Sequence, residues 1–199
     1  MFGKSWCAIG DSITRGAGNN ERSYVEIISD LTGIRGTNKG ISGSGYYNGN
    51  GGTQQFYNRL VNDFKQYDLY TIMGSVNDGN APLGNYDDVG TDTLAGCINK
   101  TINAILTQNP SAKIGIISML PINSRNATIE GLFRDITDLQ MKIAKYWSIP
   151  YLNLFDGSNL RPWDGFFNQT YYYNADGCHP NEKGYMFFLN KIIEFLKSI

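Results

Sequence analysis

The chain has 199 residues, 17 basic and 18 acidic, for a formal net charge of -1; 41% of residues are hydrophobic and 18% charged. That length fits one domain, 1–199, large enough to bury a core without a disulfide or metal staple. The balanced charge excludes the basic footprint of a nucleic-acid binder, and no run of about 18 apolar residues offers a membrane-spanning helix.

The first apolar run, Ser5 to Ile9, ends at Gly10 and predicts a strand. Tyr24, Ile27, Ile28 and Leu31 recur at helical spacing within Arg22–Leu31. Gly33 to Ile41 predicts a weak strand. Thr53 to Phe64 predicts a helix burying Phe56, Leu60, Val61 and Phe64. Leu69 to Met73 is the third strand. Thr91 to Leu106 is a helix with Leu94, Ile98, Ile102, Ile105 and Leu106 inward. Ile114 to Met119, apolar on both faces, fits a central parallel strand. A helix over Ile129–Tyr146, a strand over Tyr151–Leu154 and a final helix over Asn181–Leu196 complete the pattern. That last helix is expected to bury Tyr185, Leu189, Ile192, Ile193 and Leu196. Strands separated by helices of this length need crossover connections. The expected fold is therefore an α/β three-layer sandwich, with about five parallel strands in flavodoxin-like order. In such sheets functional loops lie outside the carboxyl ends of the strands.

Polar segments fall where that rule puts a site. Gly10-Asp11-Ser12, Gly40-Ile41-Ser42-Gly43 and Gly74-Ser75-Val76-Asn77-Asp78 follow the first three strands; Asp176-Gly177-Cys178-His179-Pro180 precedes the last helix. His179 is the chain's one histidine. A lone histidine before a helix is commonly structural, but Asp176 three residues earlier can accept its Nδ1 proton and leave Nε2 outward, as a general base requires. Serine needs such a neighbour because its hydroxyl is a weak nucleophile near neutral pH. The chain has no Gly-x-Ser-x-Gly elbow, which disfavours the α/β-hydrolase fold.

Gly10-Asp11-Ser12, the NxGxSG segment from Asn38 to Gly43, Asn77-Asp78 and Asp176-x-x-His179 together resemble the SGNH hydrolases, or GDSL-type esterases and lipases, in that family's order and over most of the chain. The resemblance implies a single SGNH hydrolase-like domain and carboxylic ester hydrolysis without cofactor or metal. It further implies Ser12 as nucleophile, His179 as base and Asp176 as its orienting acid. The oxyanion hole would be the Ser12 N–H, the Gly43 N–H and the Asn77 side-chain amide. One departure is that Ser75 stands where the family usually has glycine, with Gly74 one place earlier.

Other features have plainer readings. Asp11 caps its turn or bonds a neighbouring loop, and is otherwise a candidate for substrate contact. Cys178 packs rather than attacks. The glycine-rich segment from Gly40 to Gly52 lacks a phosphate-loop order. Asp87 and Asp88 belong to a solvated loop rather than a metal site. Cys7, Cys97 and Cys178 are odd in number and widely spaced, as expected for reduced thiols. The N-terminus lacks the apolar core of a signal peptide, so the sequence as written reads as cytoplasmic or as a fragment of an exported or virion protein. Trp163, Phe166 and Tyr173, in an aromatic stretch treated as loop, and Tyr46 after Gly43 are candidates for a substrate wall. With no apolar lid segment, the favoured substrate is a small acyl group, such as acetyl, on a carbohydrate. Lipase or lysophospholipase-type cleavage of longer acyl chains is the alternative. A non-catalytic glycan-binding module and a flavodoxin-like nucleotide binder also stay open. The expected partner is a small-molecule or glycan ester; the oligomeric state is not fixed by the sequence.

Overall fold

Five strands form one parallel sheet in the order β2-β1-β3-β4-β5, the flavodoxin-like order expected. The computed structural model describes residues 2–62, 65–123 and 127–199. The strands are β1 (Ser5–Gly10), β2 (Arg35–Gly40), β3 (Leu69–Gly74), β4 (Lys113–Ser118) and β5 (Tyr151–Leu152). The helices are α1 (Ser12–Arg15), α2 (Tyr24–Thr32), α3 (Phe56–Asn62), α4 (Leu94–Gln108), α5 (Ala127–Tyr146), α6 (Leu154–Gly157), α7 (Gly165–Tyr171), α8 (Glu182–Tyr185) and α9 (Leu189–Ser198).

The two-residue period of the strands builds the three layers. Cys7, Ile9, Tyr70, Ile72, Ile114 and Ile116 face one core with Phe56 of α3, Ile98 and Ile102 of α4 and Ile136 and Ile143 of α5. Trp6, Ala8, Leu69, Met73 and Ile117 face the other, with Tyr24 and Ile28 of α2, Tyr185 of α8 and Ile192 of α9. Central β3 is buried at every residue, as a strand covered on both faces must be. β2 is an edge strand with half-buried residues, which explains its weak apolar signal. Ser23 starts α2 with a capping box, its side chain accepting from the helix while Glu26 reaches back to the Ser23 N–H at 2.8 Å.

Several expectations are corrected. Leu31, in the helical repeat of its segment, and Val61, placed on one face with Phe56 and Leu60, are exposed at their helix surfaces; Phe64 lies outside the described residues. The strand over Tyr151–Leu154 ends at Leu152, because Asn153 accepts from the Asp156 N–H and starts α6. The aromatic stretch is not all loop: Asp164 caps α7 by accepting from Phe167 N–H at 2.7 Å. The final helix is two. Asn181 caps α8, and a break before α9 lets Tyr185 and Phe188 both bury completely, their ring centroids 5.6 Å apart. Ile193 is only half-buried. Among the described residues no helix is long and apolar enough to cross a membrane.

Candidate active site

The segment after β1 turns sharply. Gly10 is required there, since a Cβ on it would lie 2.0 Å from Thr14 Oγ1. Asp11 then caps α1, its Oδ1 accepting from the Ile13 N–H at 2.9 Å, so Ser12 opens the helix with its side chain at the rim of the sheet. Tyr185 OH donates to Ile13 O at 2.7 Å, and Asn38 Nδ2 donates to Thr14 O at 2.7 Å. These bonds fix α1 to both α8 and β2.

The other end of the chain meets this turn. Ser12 Oγ lies 2.9 Å from His179 Nε2, across 167 positions of sequence, and His179 Nδ1 lies 2.7 Å from Asp176 Oδ2. Asp176 Oδ1 also accepts from the N–H groups of Cys178 at 2.8 Å and His179 at 2.9 Å. With Nδ1–H directed to Asp176, Nε2 is left to accept from the serine hydroxyl. The turn between them needs Gly177, whose φ is +66° and whose added Cβ would sit 2.4 Å from Asn123 Cβ. Asn123 N–H donates to Gly177 O at 2.9 Å, and Tyr173 N–H donates to His179 O at 2.9 Å. The loop carrying the imidazole is thus held from both sides.

Gly43, at φ +75°, and Asn77 lie on the same rim. The N–H groups of Ser12 and Gly43 have no acceptor among the described residues. Asn77 Nδ2 donates one hydrogen to Ser44 O at 2.9 Å, which fixes the amide plane and leaves its second hydrogen for another acceptor. Ser75, the departure from the family pattern, is fully buried and built into this arrangement. Its Oγ accepts from Asn77 N–H at 3.0 Å and donates to Ser44 O at 3.2 Å. The serine therefore ties Asn77 to the loop after β2 through the same carbonyl that the Asn77 side chain uses.

Three further groups support the site. Asp78 is buried and accepts from the N–H groups of Tyr46 at 2.9 Å, Tyr47 at 3.1 Å and Asn48 at 2.9 Å, so it shapes the loop after Gly43. Gly45 permits this approach, since a Cβ there would be 2.3 Å from Asp78 Oδ1. Arg59 on α3 reaches under the strand ends, donating to Gly10 O at 3.0 Å, to Ser44 Oγ at 3.3 Å and to Lys39 O. A half-buried arginine can be placed only once α3 is known to pack against β1 and β2.

Burial raises Asp11 to about 6, against the hydrogen bond from Ile13 and the nearby charges of His179 and Arg59. Burial likewise raises Asp78 to about 6, against its three backbone donors. It lowers Arg59 to about 10, opposed by Asp11. A carboxyl whose folded pKa exceeds its unfolded value near 4 binds its proton more tightly when folded, so its contribution to stability falls as pH rises from about 4 to about 6. Asp11→Asn keeps an oxygen to accept from Ile13 and removes that titration. The variant should therefore lose less stability than the parent between pH 4 and pH 7, by up to about 3 kcal/mol. Urea unfolding at the two pH values measures this; equal losses in both proteins would refute it.

The aromatic candidates fall elsewhere. Tyr46 is 0% exposed, its ring 4.8 Å from that of Phe56, so it belongs to the core and not to a substrate wall. Asp11 is 3% exposed and acts as a helix cap rather than a substrate contact. Trp163 (57% exposed) lines a cleft of about 590 Å3 with Phe155, Leu160, Phe187, Arg134, Pro121 and Ile122. Phe166 is 79% exposed and Tyr173 is also exposed. Neither they nor Trp163 line the cleft that holds Gly43 and Asn77 or the small void that holds Asp11 and Cys178. Asp88 Oδ2 accepts from Thr93 Oγ1 at 2.8 Å and Asn85 N–H at 3.1 Å, a loop-closing role. Cys7, Cys97 and Cys178 are unbridged, and among the described residues no cluster of three or more histidine, cysteine or acidic side chains could hold a metal.

Comparison with known proteins agrees with this geometry. Among solved structures, a protein from Lactobacillus plantarum superposes with a TM-score of 0.84 at 26% identity, covering 100% of this chain and 98% of that one. An acetylxylan esterase from Geobacillus stearothermophilus, solved as a catalytic mutant, superposes with a TM-score of 0.63 at 20% identity, covering 98% and 94%. A carbohydrate acetylesterase from Sinorhizobium meliloti does so with a TM-score of 0.68 at 16% identity, covering 98% and 99%. No curated protein matches. The model of the GDSL-like Lipase/Acylhydrolase family matches residues 8–187, a span that begins within β1 and includes Ser12, Gly43, Asn77, Asp176 and His179. A hydroxyl, an imidazole and a carboxylate are thus linked in series at one rim of the sheet, and the chain belongs to the GDSL-like lipase/acylhydrolase family.

Proposed function

We propose that the protein hydrolyses esters of a small acyl group, such as acetyl, on a carbohydrate, with Ser12 as nucleophile, His179 as base and Asp176 as orienting acid. The observation that carries this reading is the linked pair of contacts, Ser12 Oγ to His179 Nε2 at 2.9 Å and His179 Nδ1 to Asp176 Oδ2 at 2.7 Å. Ser12 Oγ adds to the ester carbonyl as its proton passes to Nε2. The carbonyl oxygen takes up the negative charge facing the N–H groups of Ser12 and Gly43 and the free hydrogen of Asn77 Nδ2. Collapse breaks the carbon–alkoxy bond, and the alcohol leaves with the proton from Nε2. Water then attacks the acyl-enzyme by the same proton route, releasing the acid and restoring Ser12.

Acyl size is argued from space. A void lined by Asp11 and Ile13, the chain neighbours of Ser12, by Cys178, the neighbour of His179, and by Met73, Gly74, Val76, Met119, Leu120 and Ile122 has a volume of about 10 Å3. That is room for one water or one methyl group. An octanoyl chain would have to displace packed side chains from the core. The likeness to the acetylxylan esterase and the carbohydrate acetylesterase is a likeness of fold at their 20% and 16% identity; the small-acyl reading rests on this void instead.

A fluorophosphonate should label the protein and should not label Ser12→Ala. The protein should hydrolyse p-nitrophenyl acetate at least about 10-fold faster than the octanoate, in kcat/KM. Preference for the octanoate would overturn the small-acyl reading in favour of lipase-type cleavage. A folded protein that resists labelling would overturn catalysis by Ser12 and favour a binding module.

A further inference from the structure

Two clefts are lined by residues of the candidate catalytic segments, and they differ in both size and chemistry. One is the apolar void of about 10 Å3. The other is an open cleft of about 450 Å3 whose lining includes Gly43 and Asn77, the candidate oxyanion donors. Val76, next to Asn77 in the chain, lines both. The rest of the open cleft's lining is Asn48, Asn50, Asn80 and two glycines.

We propose that this asparagine cleft is the alcohol subsite and that it selects an uncharged polyol, a sugar ring bearing the ester; the inference rests on the esterase reading above and names the residues that choose its substrate. An ester carbonyl has two arms. With its oxygen at Gly43 and Asn77 the ester lies against the open cleft, and there the larger arm, the alcohol of a small-acyl ester, has room. Among the described residues no ionisable side chain lines that cleft, so an anionic or cationic alcohol would find no counter-charge from them. Val76 is its one apolar side chain, too little to bury an alkyl or aryl group. Carboxamides carry donors and acceptors together, as hydroxyl groups do, so each can pair with a sugar hydroxyl in either sense. The cleft is also partly ordered before binding. Asn48 Nδ2 donates to Asn80 Oδ1 at 2.8 Å and to Asn77 O, which lowers the entropy lost when a ligand is held and links the cleft to the oxyanion residue. Asn50 and Asn80 are exposed, so their side chains are presented to an incoming molecule.

The test is a comparison of kcat/KM on xylose tetraacetate and on p-nitrophenyl acetate, for the parent protein and for the double variant Asn50→Leu/Asn80→Leu. The ratio of sugar ester to aryl ester should fall by about 10-fold or more in the variant. The parent should also prefer the neutral sugar acetate to an acetylated uronic acid. A ratio within about 2-fold of the parent's, or preference for the uronate, would overturn the alcohol subsite while leaving the esterase reading intact. A parent protein that cleaves neither ester and resists fluorophosphonate would instead overturn the esterase reading itself, and the subsite with it.

Discussion

His179→Ala should lower kcat/KM on p-nitrophenyl acetate by about 10³-fold or more, with the protein still folded. The expectation is large because nothing can stand in for the lost group: the chain has one histidine, and it is the side chain in contact with Ser12 Oγ. Without it the serine proton has no base and the leaving alcohol no acid, and both steps of the cycle fail together. The fold should tolerate the change. His179 is partly exposed, and the loop around it is held by bonds the substitution keeps: Tyr173 N–H to His179 O and Asn123 N–H to Gly177 O, both at 2.9 Å. The backbone N–H of residue 179 can still donate to Asp176 Oδ1. Thermal unfolding within a few degrees of the parent, together with the collapse in rate, is the expected result. A folded variant that retains its rate would show that the proton goes elsewhere.

What the sequence makes legible follows from which features have a local cause. β3 and β4 are readable because burial on both faces demands an unbroken apolar run, and the helices because their inward faces recur at helical spacing. The contact between Ser12 and His179 is not local; it is reached through the order of the family's blocks, which the strand order then explains by bringing the loops after β1, β2 and β3 to one rim. Asp78 was legible as half of the Asn77-Asp78 pair but not as the acceptor of three loop N–H groups, and Arg59 was not legible at all, because a half-buried arginine looks in sequence like any surface charge. Aromatic placement was legible in type but not in direction. Tyr46 and Trp163 have similar amphipathic rings, and only tertiary packing sends one into the core beside Phe56 and the other outward to a separate cleft. Ser75 was visible as an oddity, but its meaning depends on a carbonyl, Ser44 O, 31 residues away in the chain.

Asn77→Ala is expected to reduce kcat by about 10²–10³-fold, some 3–4 kcal/mol of barrier, with a much smaller effect on KM and on stability. The rate effect follows from when the amide is needed. Its second hydrogen meets full negative charge only after Ser12 has added to the carbonyl, so its loss weakens the transition state more than the bound ester. The small effect on stability follows from redundancy at Ser44 O, which accepts from both Asn77 Nδ2 and Ser75 Oγ. Removing the amide leaves that carbonyl with the Ser75 hydroxyl, so no buried acceptor is orphaned and the cost should stay near that of one ordinary hydrogen bond, about 1 kcal/mol. Asn77→Asp should be at least as slow as the alanine variant, because it turns an acceptor toward the developing oxyanion. Steady-state kinetics and urea unfolding on the two variants separate the effects. A kcat within about 5-fold of the parent in Asn77→Ala would remove this side chain from the oxyanion hole, and a loss of stability large enough to unfold the variant would assign it instead to holding the loops after β2 and β3 together.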